Sequence, residues 1–441
     1  VSSLVSKVFS RFSEFFFLLL ATLVLATMLV SLELTQGNDI TAEMGYLIGG
    51  FIGVFAVAHL AIRFLAPHAD QLLLPVAATL NGIGLVIIYR LDLAKETALA
   101  ERQVLWALVG VVLMVLTLII VRDHKALGRY SYLLGLLGLI ALAIPLVWPQ
   151  PPNVEARIWI WIGPFSVQPG EFAKILLIIF FAHLLAQKRA LFTVAGYRVL
   201  GLNLPRLRDL APILGVWAVA ILIMAISNDF GPALLLFATI LGMLYIATGR
   251  VSWLLIGVIL VALGGTAIYL ISSKIQQRVD LFMDPIGNID ISNQLAQSLF
   301  GMSWGGVTGT GLGDGYPQLI PVVHSDFILA AIGEELGLIG LAAVLILFAV
   351  FATRGFATAL DTRDSFGKLL ATGMALLITI QVFVVTGGVT AIMPMTGLTT
   401  PFMSAGGSSL MANYILLGLL LRMSHDARRP ATEPTNAKGV R

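Results

Sequence analysis

The sequence predicts an all-α polytopic membrane protein of about twelve transmembrane helices. Three observations carry that prediction. Hydrophobic residues make up 58% of the chain and charged residues only 12%, about half the charge of a soluble domain. The mean hydropathy is +0.94. The apolar residues also gather into runs long enough to cross a bilayer core, which takes roughly 17–25 residues.

Twelve runs qualify, near residues 14–32, 46–66, 70–91, 103–121, 131–148, 170–187, 210–227, 231–248, 252–272, 326–352, 368–390 and 408–424. The first resembles a signal peptide in hydropathy. No small-residue cleavage site stands out and a second apolar run follows, so a retained span is expected. Glycine and proline inside the later runs are compatible with membrane helices.

Lys and Arg concentrate in alternate loops. One set holds Lys7 and Arg11, Arg63, Arg122 to Arg129, Lys188 to Arg208, Arg250, Arg354 to Lys368, and Arg422 to Arg429. The other holds Glu33, Asp39 and Glu43, the mixed loop 91–102, and loops 149–169 and 273–325. The positive-inside rule puts the first set in the cytoplasm, with both termini, and the long loop 273–325 outside. The basic segment 188–209 fits a topology signal with headgroup contact, or a regulatory partner site. The tail 426–441 is expected to be disordered and cytoplasmic, since past Arg429 it has few apolar residues.

The absences exclude several classes. The chain has no cysteine, hence no disulfide and no thiolate metal site. It has no Walker A sequence, no HExxH and no histidine cluster. Arginine does not recur every third residue along any span, as a voltage sensor requires.

Four polar stretches interrupt the apolar pattern. The most informative runs from about Lys274 to Gly340 and ends in His324-Ser325-Asp326-Phe327, then Gly333-Glu334-Glu335-Leu336-Gly337. Asp326 opens a predicted span, where it reads either as a helix N-cap or as a functional carboxylate. Glu334 and Glu335 fall eight or nine residues inside that span, too deep to cap it. One of them is expected to pair with a buried cation or hydroxyl. The second stretch is loop 149–169 with the start of the next span. Arg157 there suits a phosphate, and Trp159 suits an interfacial belt. Glu171 and Lys174 are spaced i, i+3 on one helix face, structural or substrate-lining. The third stretch is the turn Ser227-Asn228-Asp229-Phe230-Gly231-Pro232, where an Asx turn is the ordinary reading of Asp229. The fourth runs from Met393 to Ser409, through Ser404 and Ser408. It is small, hydroxyl-rich and too apolar for an exposed linker, which suggests a re-entrant loop or a backbone-lined cavity. Together these describe an outward polar site for a lipid-linked anion.

The motifs resemble the SEDS family. His324-Ser325-Asp326-Phe327 with Gly333-Glu334-Glu335-Leu336-Gly337 resembles its HTDF and EELG signature. Gln168-Pro169-Gly170-Glu171 resembles its QP(A/S)E motif, and Asn228-Asp229-Phe230-Gly231 its PD(L/F)GT turn. Pro401 to Ser409 resembles PFVSYGGSS. The departures are Ser325 for Thr, Gly170 for Ala or Ser, Pro232 for Thr and Ala405 for Tyr, and none removes a titratable group. Ser292-Asn293 replaces a usual Gly-Tyr. The likeness leans to the RodA side rather than the FtsW side.

The resemblance implies a ten-helix core at residues 70–425 behind a two-helix addition at 1–69. It also implies a bacterial cytoplasmic-membrane enzyme, with its site on the outer face, that polymerises lipid II into peptidoglycan strands for cell-wall elongation and shape. The expected partners are lipid II, membrane lipid and a class B penicillin-binding protein, with no nucleic acid. The family's essential aspartate maps to Asp326. Lipid II carries an α-linked diphosphate and the product linkage is β-1,4, so one displacement with one carboxylate base suffices. Undecaprenyl diphosphate leaves. Arg157, Lys274, Arg278 or a divalent cation (Mg or Mn) would assist its departure. Substrate contacts are expected from Arg157, Trp159, Glu171, Lys174, Asp229, Arg278, His324, Glu334, Glu335, Ser404 and Ser408. Two rival readings use the same residues: a lipid II flippase or transporter, and a non-catalytic scaffold for a transpeptidase.

Overall fold

The computed structural model describes residues 11–37, 39, 42–151, 156–163, 165–193, 197–199, 202–204, 207–287 and 289–429, with the backbone alone for 189–213 and 289–293. Lys7, the side chains of the basic 188–209 segment beyond Lys188, and the tail past Arg429 lie outside the described residues. The first helices are α1 (Phe12–Thr35), α2 (Ala42–Leu65), α3 (Leu73–Lys95), α4 (Leu99–Ile120), α5 (Lys125–Arg129) and α6 (Ser131–Val147). A small hairpin, Ile160–Ile162 against Phe165–Val167, precedes α7 (Pro169–Thr193). A second, Tyr197–Val199 against Leu202–Leu204, precedes α8 (Leu207–Ile226). Then follow α9 (Phe230–Thr248), α10 (Ser252–Ile271), α11 (Ser273–Met283) and α12 (Ile289–Gly305). The chain closes with α13 (Ile328–Glu335), α14 (Gly337–Asp361), α15 (Ser365–Val389) and α16 (Gly407–Arg428).

Among the described residues, nine helices are long and apolar enough to cross a membrane: α1 to α4, α7, α9, α10, α14 and α15. The shorter apolar helices α6 and Leu214–Ile226 of α8, with α16, stand at the other three predicted positions. The chain is therefore an integral membrane protein of the predicted all-helical class.

Helix α3 is the axis of the bundle. It is almost wholly buried, and its buried polar residues Asn81, Arg90 and Asp92 all have hydrogen-bond partners. Helices α1, α4 and α14 pack around it, and α9, α7 and α15 form a second group. Helix α10 has almost no buried surface, which suits a lipid-facing position. Within lipid, close backbone approach takes the place of the hydrophobic drive. Gly84 of α3 is such a contact: a Cβ there would lie 2.5 Å from the Met403 carbonyl oxygen. The N-terminal pair also packs on the bundle. Arg11 Nη1 donates to the Ala66 and Ala69 carbonyls at 3.2 and 3.1 Å, and Gln36 Nε2 to Gly313 O at 2.7 Å.

Two expectations change. Loop 273–325 is not one irregular loop, since it folds into α11, α12 and a short 3-10 turn at Pro317–Leu319. The span predicted to open at Asp326 divides at Leu336 into α13 and α14. Gly337 there has φ +66, and a Cβ on it would lie 2.2 Å from Gly309 N. The turn at 306–309 presses so closely that the first free amides of α14 bond to it, Leu338 N to Gly306 O at 3.0 Å and Ile339 N to Val307 O at 3.1 Å. Glu334 and Glu335 thus end a short helix rather than sit inside a span.

Candidate active site

Asp326 lies in the turn ahead of α13, outside the spanning helices, and is half-buried. It does not cap the helix, whose N-terminal position is Phe327 with no side-chain cap. Instead Ser325 Oγ donates to Asp326 Oδ1 at 2.7 Å. Burial pushes the Asp326 carboxyl above its ordinary pKa, while Ser325 and the Arg278 guanidinium hold it down. Arg278 comes from α11, and its Nη1 donates to Thr396 O at 3.3 Å. Gly397 joins the two groups. A Cβ at that position would lie 3.5 Å from Asp326 Oδ2 and 3.6 Å from Arg278 Nη2. Its φ of +75 is one that glycine adopts without strain.

The irregular segment 390–406 forms the wall of this site. Ser404 Oγ donates to Ser325 O at 2.6 Å and accepts from Thr400 N at 2.9 Å. Ala405 N donates to His324 O at 2.8 Å. His324 is half-buried, and burial with nearby Lys95 pushes its imidazole below the usual range. The 400–404 stretch of the segment is buried, while most of 390–399 is half-buried and Ile392 and Gly397 are exposed.

The other predicted motifs converge on the same wall. Gln168 N donates to Ser408 Oγ at 2.9 Å, which places the start of α7 against the start of α16. Lys174 Nζ donates to Glu171 Oε1 at 3.1 Å, with both side chains buried. The turn before α9 lies near this pair and against the same wall. A Cβ on Gly231 would sit 2.6 Å from Thr396 O. Asp229 at that turn makes no capping bond to α9, contrary to the Asx expectation. Burial, with repulsion from Glu171, raises its pKa to about 6 against the pull of Lys174, Lys274 and Arg278. Beside it, Asn228, Phe230, Ile268, Ile271 and Lys274 line a cavity of about 700 Å³.

Other predicted residues stand further out. Arg157 is exposed and its amide donates to Ser227 O at 3.2 Å. Trp159 is half-buried, and its carbonyl accepts from Gln150 at 2.8 Å. Glu335 is paired away from Asp326, its Oε1 accepting from Arg90 Nε at 2.9 Å. Glu334 Oε1 accepts from Tyr316 N at 2.6 Å. Both are therefore engaged in holding the 310–316 loop.

At Asp326 the surroundings named above are a hydroxyl and a guanidinium. Asp326 itself offers one carboxylate, and a Mg²⁺ ion takes only one or two from a protein, with waters and substrate phosphates completing its shell, so Asp326 is the residue that would hold such an ion here. The three carboxylate or imidazole groups close enough to share a cation among the described residues are Asp123, His124 and Asp426. They sit at the far end of α16, about 30 Å away along a helix that rises about 1.5 Å per residue.

Three positioning residues escaped the sequence reading. Asn81 Nδ2 donates to Phe402 O at 2.9 Å, Gln103 Nε2 to Ser404 O at 3.1 Å and Gln381 Nε2 to Thr399 O at 2.7 Å. All three amides belong to apolar spans. Their signal was available: a polar side chain inside a span needs a partner there.

Comparison with known proteins bears on this geometry. The family model of the FtsW, RodA and SpoVE cell cycle proteins matches residues 70–429. The chain is 49% identical over 421 residues to the peptidoglycan glycosyltransferase RodA of Mycobacterium leprae (strain TN), covering 93% of this chain and 90% of that protein. It is 47% identical over 440 residues to the protein of the same name from Mycobacterium tuberculosis (strain ATCC 25618 / H37Rv), covering 98% and 94%. In structure it matches a chain from a study of how a peptidoglycan synthase complex coordinates polymerization and crosslinking. That match has a TM-score of 0.66 and 26% identity, and covers 81% of this chain and 98% of the other. The motifs gathered at Asp326 and this sequence identity agree: the chain belongs to the FtsW, RodA and SpoVE cell cycle protein family, the SEDS family, on its RodA-like side.

Proposed function

We propose that this chain is a peptidoglycan glycosyltransferase that joins lipid II units into glycan strands, with Asp326 as the general base. One observation carries the mechanism. Asp326 and Arg278 meet at Gly397, so a carboxylate and a guanidinium face one small space beside an irregular wall. Asp326 takes the proton from the acceptor 4-hydroxyl as that oxygen attacks the anomeric carbon. The bond from that carbon to the diphosphate breaks with inversion, and undecaprenyl diphosphate leaves. Its charge grows as it leaves, and a preorganised guanidinium is worth most at that moment. Arg278 is the cation we assign to it, in preference to Arg157. Burial raises the basicity of Asp326 toward the working pH, which is what a general base requires. Lys274, beside the 700 Å³ cavity, extends the same positive flank.

In this reading the Asp326 face is the outer face and both termini are cytoplasmic. That follows from the Lys and Arg distribution. A class B penicillin-binding protein crosslinks the strands as they emerge. The synthase complex matched in structure supports a transpeptidase partner of that kind.

The test is polymerisation of labelled lipid II by the purified protein with its transpeptidase partner. Wild type is expected to make long strands. Asp326→Asn, folded and partner-bound, is expected to lose about 10²–10⁴-fold in rate. Equal activity in both would remove Asp326 from the mechanism. Inactive wild type, under conditions that support another glycosyltransferase, would favour transport or a scaffold.

A further inference from the structure

The far end of the bundle from Asp326 holds a second cavity, of about 470 Å³. It lies where the ends of α2, α4 and α16 meet. Arg122, Arg422 and Arg429 line it, with His68 and His425, and no carboxylate is among its lining residues. Asp426, next in sequence to His425, hydrogen-bonds His124 at 2.9 Å.

Arg422 is the informative residue. It is only 6% exposed. Its Nη2 donates to Leu118 O, but its Nε is buried without a hydrogen-bond partner. Arg422 lines the cavity together with two more guanidinium groups, a set that suits a phosphate oxygen. His425 adds a donor. Its Nδ1 accepts from His68 N at 3.1 Å, so the neutral ring carries its hydrogen on Nε2.

The remaining walls are apolar and open toward lipid. Phe64 is 77% exposed and Ile119 43% exposed, and both line the cavity. A free inorganic anion has no use for such walls. An amphiphile does, because its phosphate meets the arginines while its acyl chains lie along Phe64 and Ile119.

We propose that this cavity binds the phosphate headgroup of one anionic phospholipid, drawn from the leaflet opposite Asp326. Basic pockets between spanning helices take such headgroups. The site is distinct from the proposed glycosyl-transfer site, and does not depend on it. Its occupant would bridge α2 of the N-terminal pair to α4 and α16.

The test counts lipid retained by the full-length protein. Purified protein in detergent is titrated with phosphatidylglycerol, phosphatidylcholine or inorganic phosphate and examined by native mass spectrometry. One tightly held phosphatidylglycerol per chain is expected, with neither phosphatidylcholine nor phosphate retained at the same concentration. Arg122→Ala and Arg429→Ala, both at exposed positions, are each expected to weaken retention about fivefold. Arg422→Gln is expected to weaken it further, and the two exposed variants decide the matter if this one misfolds. Equal retention of the two lipids overturns the proposal. So does unchanged retention in the Arg122→Ala/Arg429→Ala double variant, or inorganic phosphate alone displacing the lipid.

Discussion

Arg90 Nε donates to Glu335 Oε1 at 2.9 Å, joining the axial helix α3 to the last residue of α13. The same guanidinium reaches the Gly313 and Gly315 carbonyls at 3.1 and 2.8 Å. It therefore ties one end of α13, whose other end carries Asp326, to the bundle axis. Both side chains are buried. Arg90→Ala leaves a buried carboxylate with no counter-charge, and is expected to cost about 3–5 kcal/mol. Glu335→Gln keeps the shape and one acceptor, and is expected to cost less. Arg90→Leu with Glu335→Leu should recover part of the loss. Thermal unfolding of the detergent-solubilised variants checks the order.

Arg278 separates charge from fold. It donates to Thr396 O at 3.3 Å and faces Asp326 across Gly397. Arg278→Ala is expected to lower the rate of polymerisation by about 10²–10³-fold, the loss typical of one missing oxyanion donor. Arg278→Lys should recover part of it. Arg157→Ala should change the rate far less. Single-turnover rates on labelled lipid II, with the enzyme in excess, distinguish the three.

Asp229 makes a pH prediction. Its pKa is raised to about 6, chiefly by burial and then by Glu171. The folded protein thus holds a proton that the unfolded chain releases near pH 4. Between about pH 4 and pH 6 this group's contribution to stability falls as pH rises. Asp229→Asn removes that titration. The variant should gain thermal stability relative to wild type as pH rises from about 4 to 6, and the gain should level off above that. Melting curves across that range test it.

Asp70 carries the opposite sign. Burial raises its pKa, but hydrogen bonds from Arg354, the Leu72 amide and Arg428 outweigh burial and lower it. Arg354 Nε lies 2.7 Å and Arg428 Nη2 2.8 Å from Asp70 Oδ2. Its stabilisation is present above the unfolded pKa near 4 and is lost as pH falls through the lower folded value. Asp70→Asn is expected to cost roughly 2 kcal/mol at pH 7, below the buried-pair range because both arginines are about a third exposed. The cost should shrink below pH 4.

Much of this was legible in the chain. Apolar runs long enough to span a bilayer are local facts, because lipid obliges each span to satisfy its own backbone. The pairing of Glu171 with Lys174 was legible for a related reason: three residues along a helix return to the same face. Each of the four motifs could also be read locally, through its own residue types.

Tertiary structure decided which charges meet. Arg278 and Thr396 are 118 residues apart, and Arg90 and Glu335 are 245 apart. No periodicity relates such positions, since their contact depends on how α3, α11 and the 390–406 segment pack. Arg157 and Arg278 looked equivalent as cations, and only packing set Arg278 beside Asp326. Glu334 and Glu335 looked deep in a span because hydropathy runs on through Leu336. The helix breaks there because the 306–309 turn presses on Gly337 from a distant part of the chain. The sequence by itself determined most of the spanning helices, the membrane and the family. Packing alone determined that Asp326 and Arg278 both border Gly397, because the two groups come from segments that share no local signal.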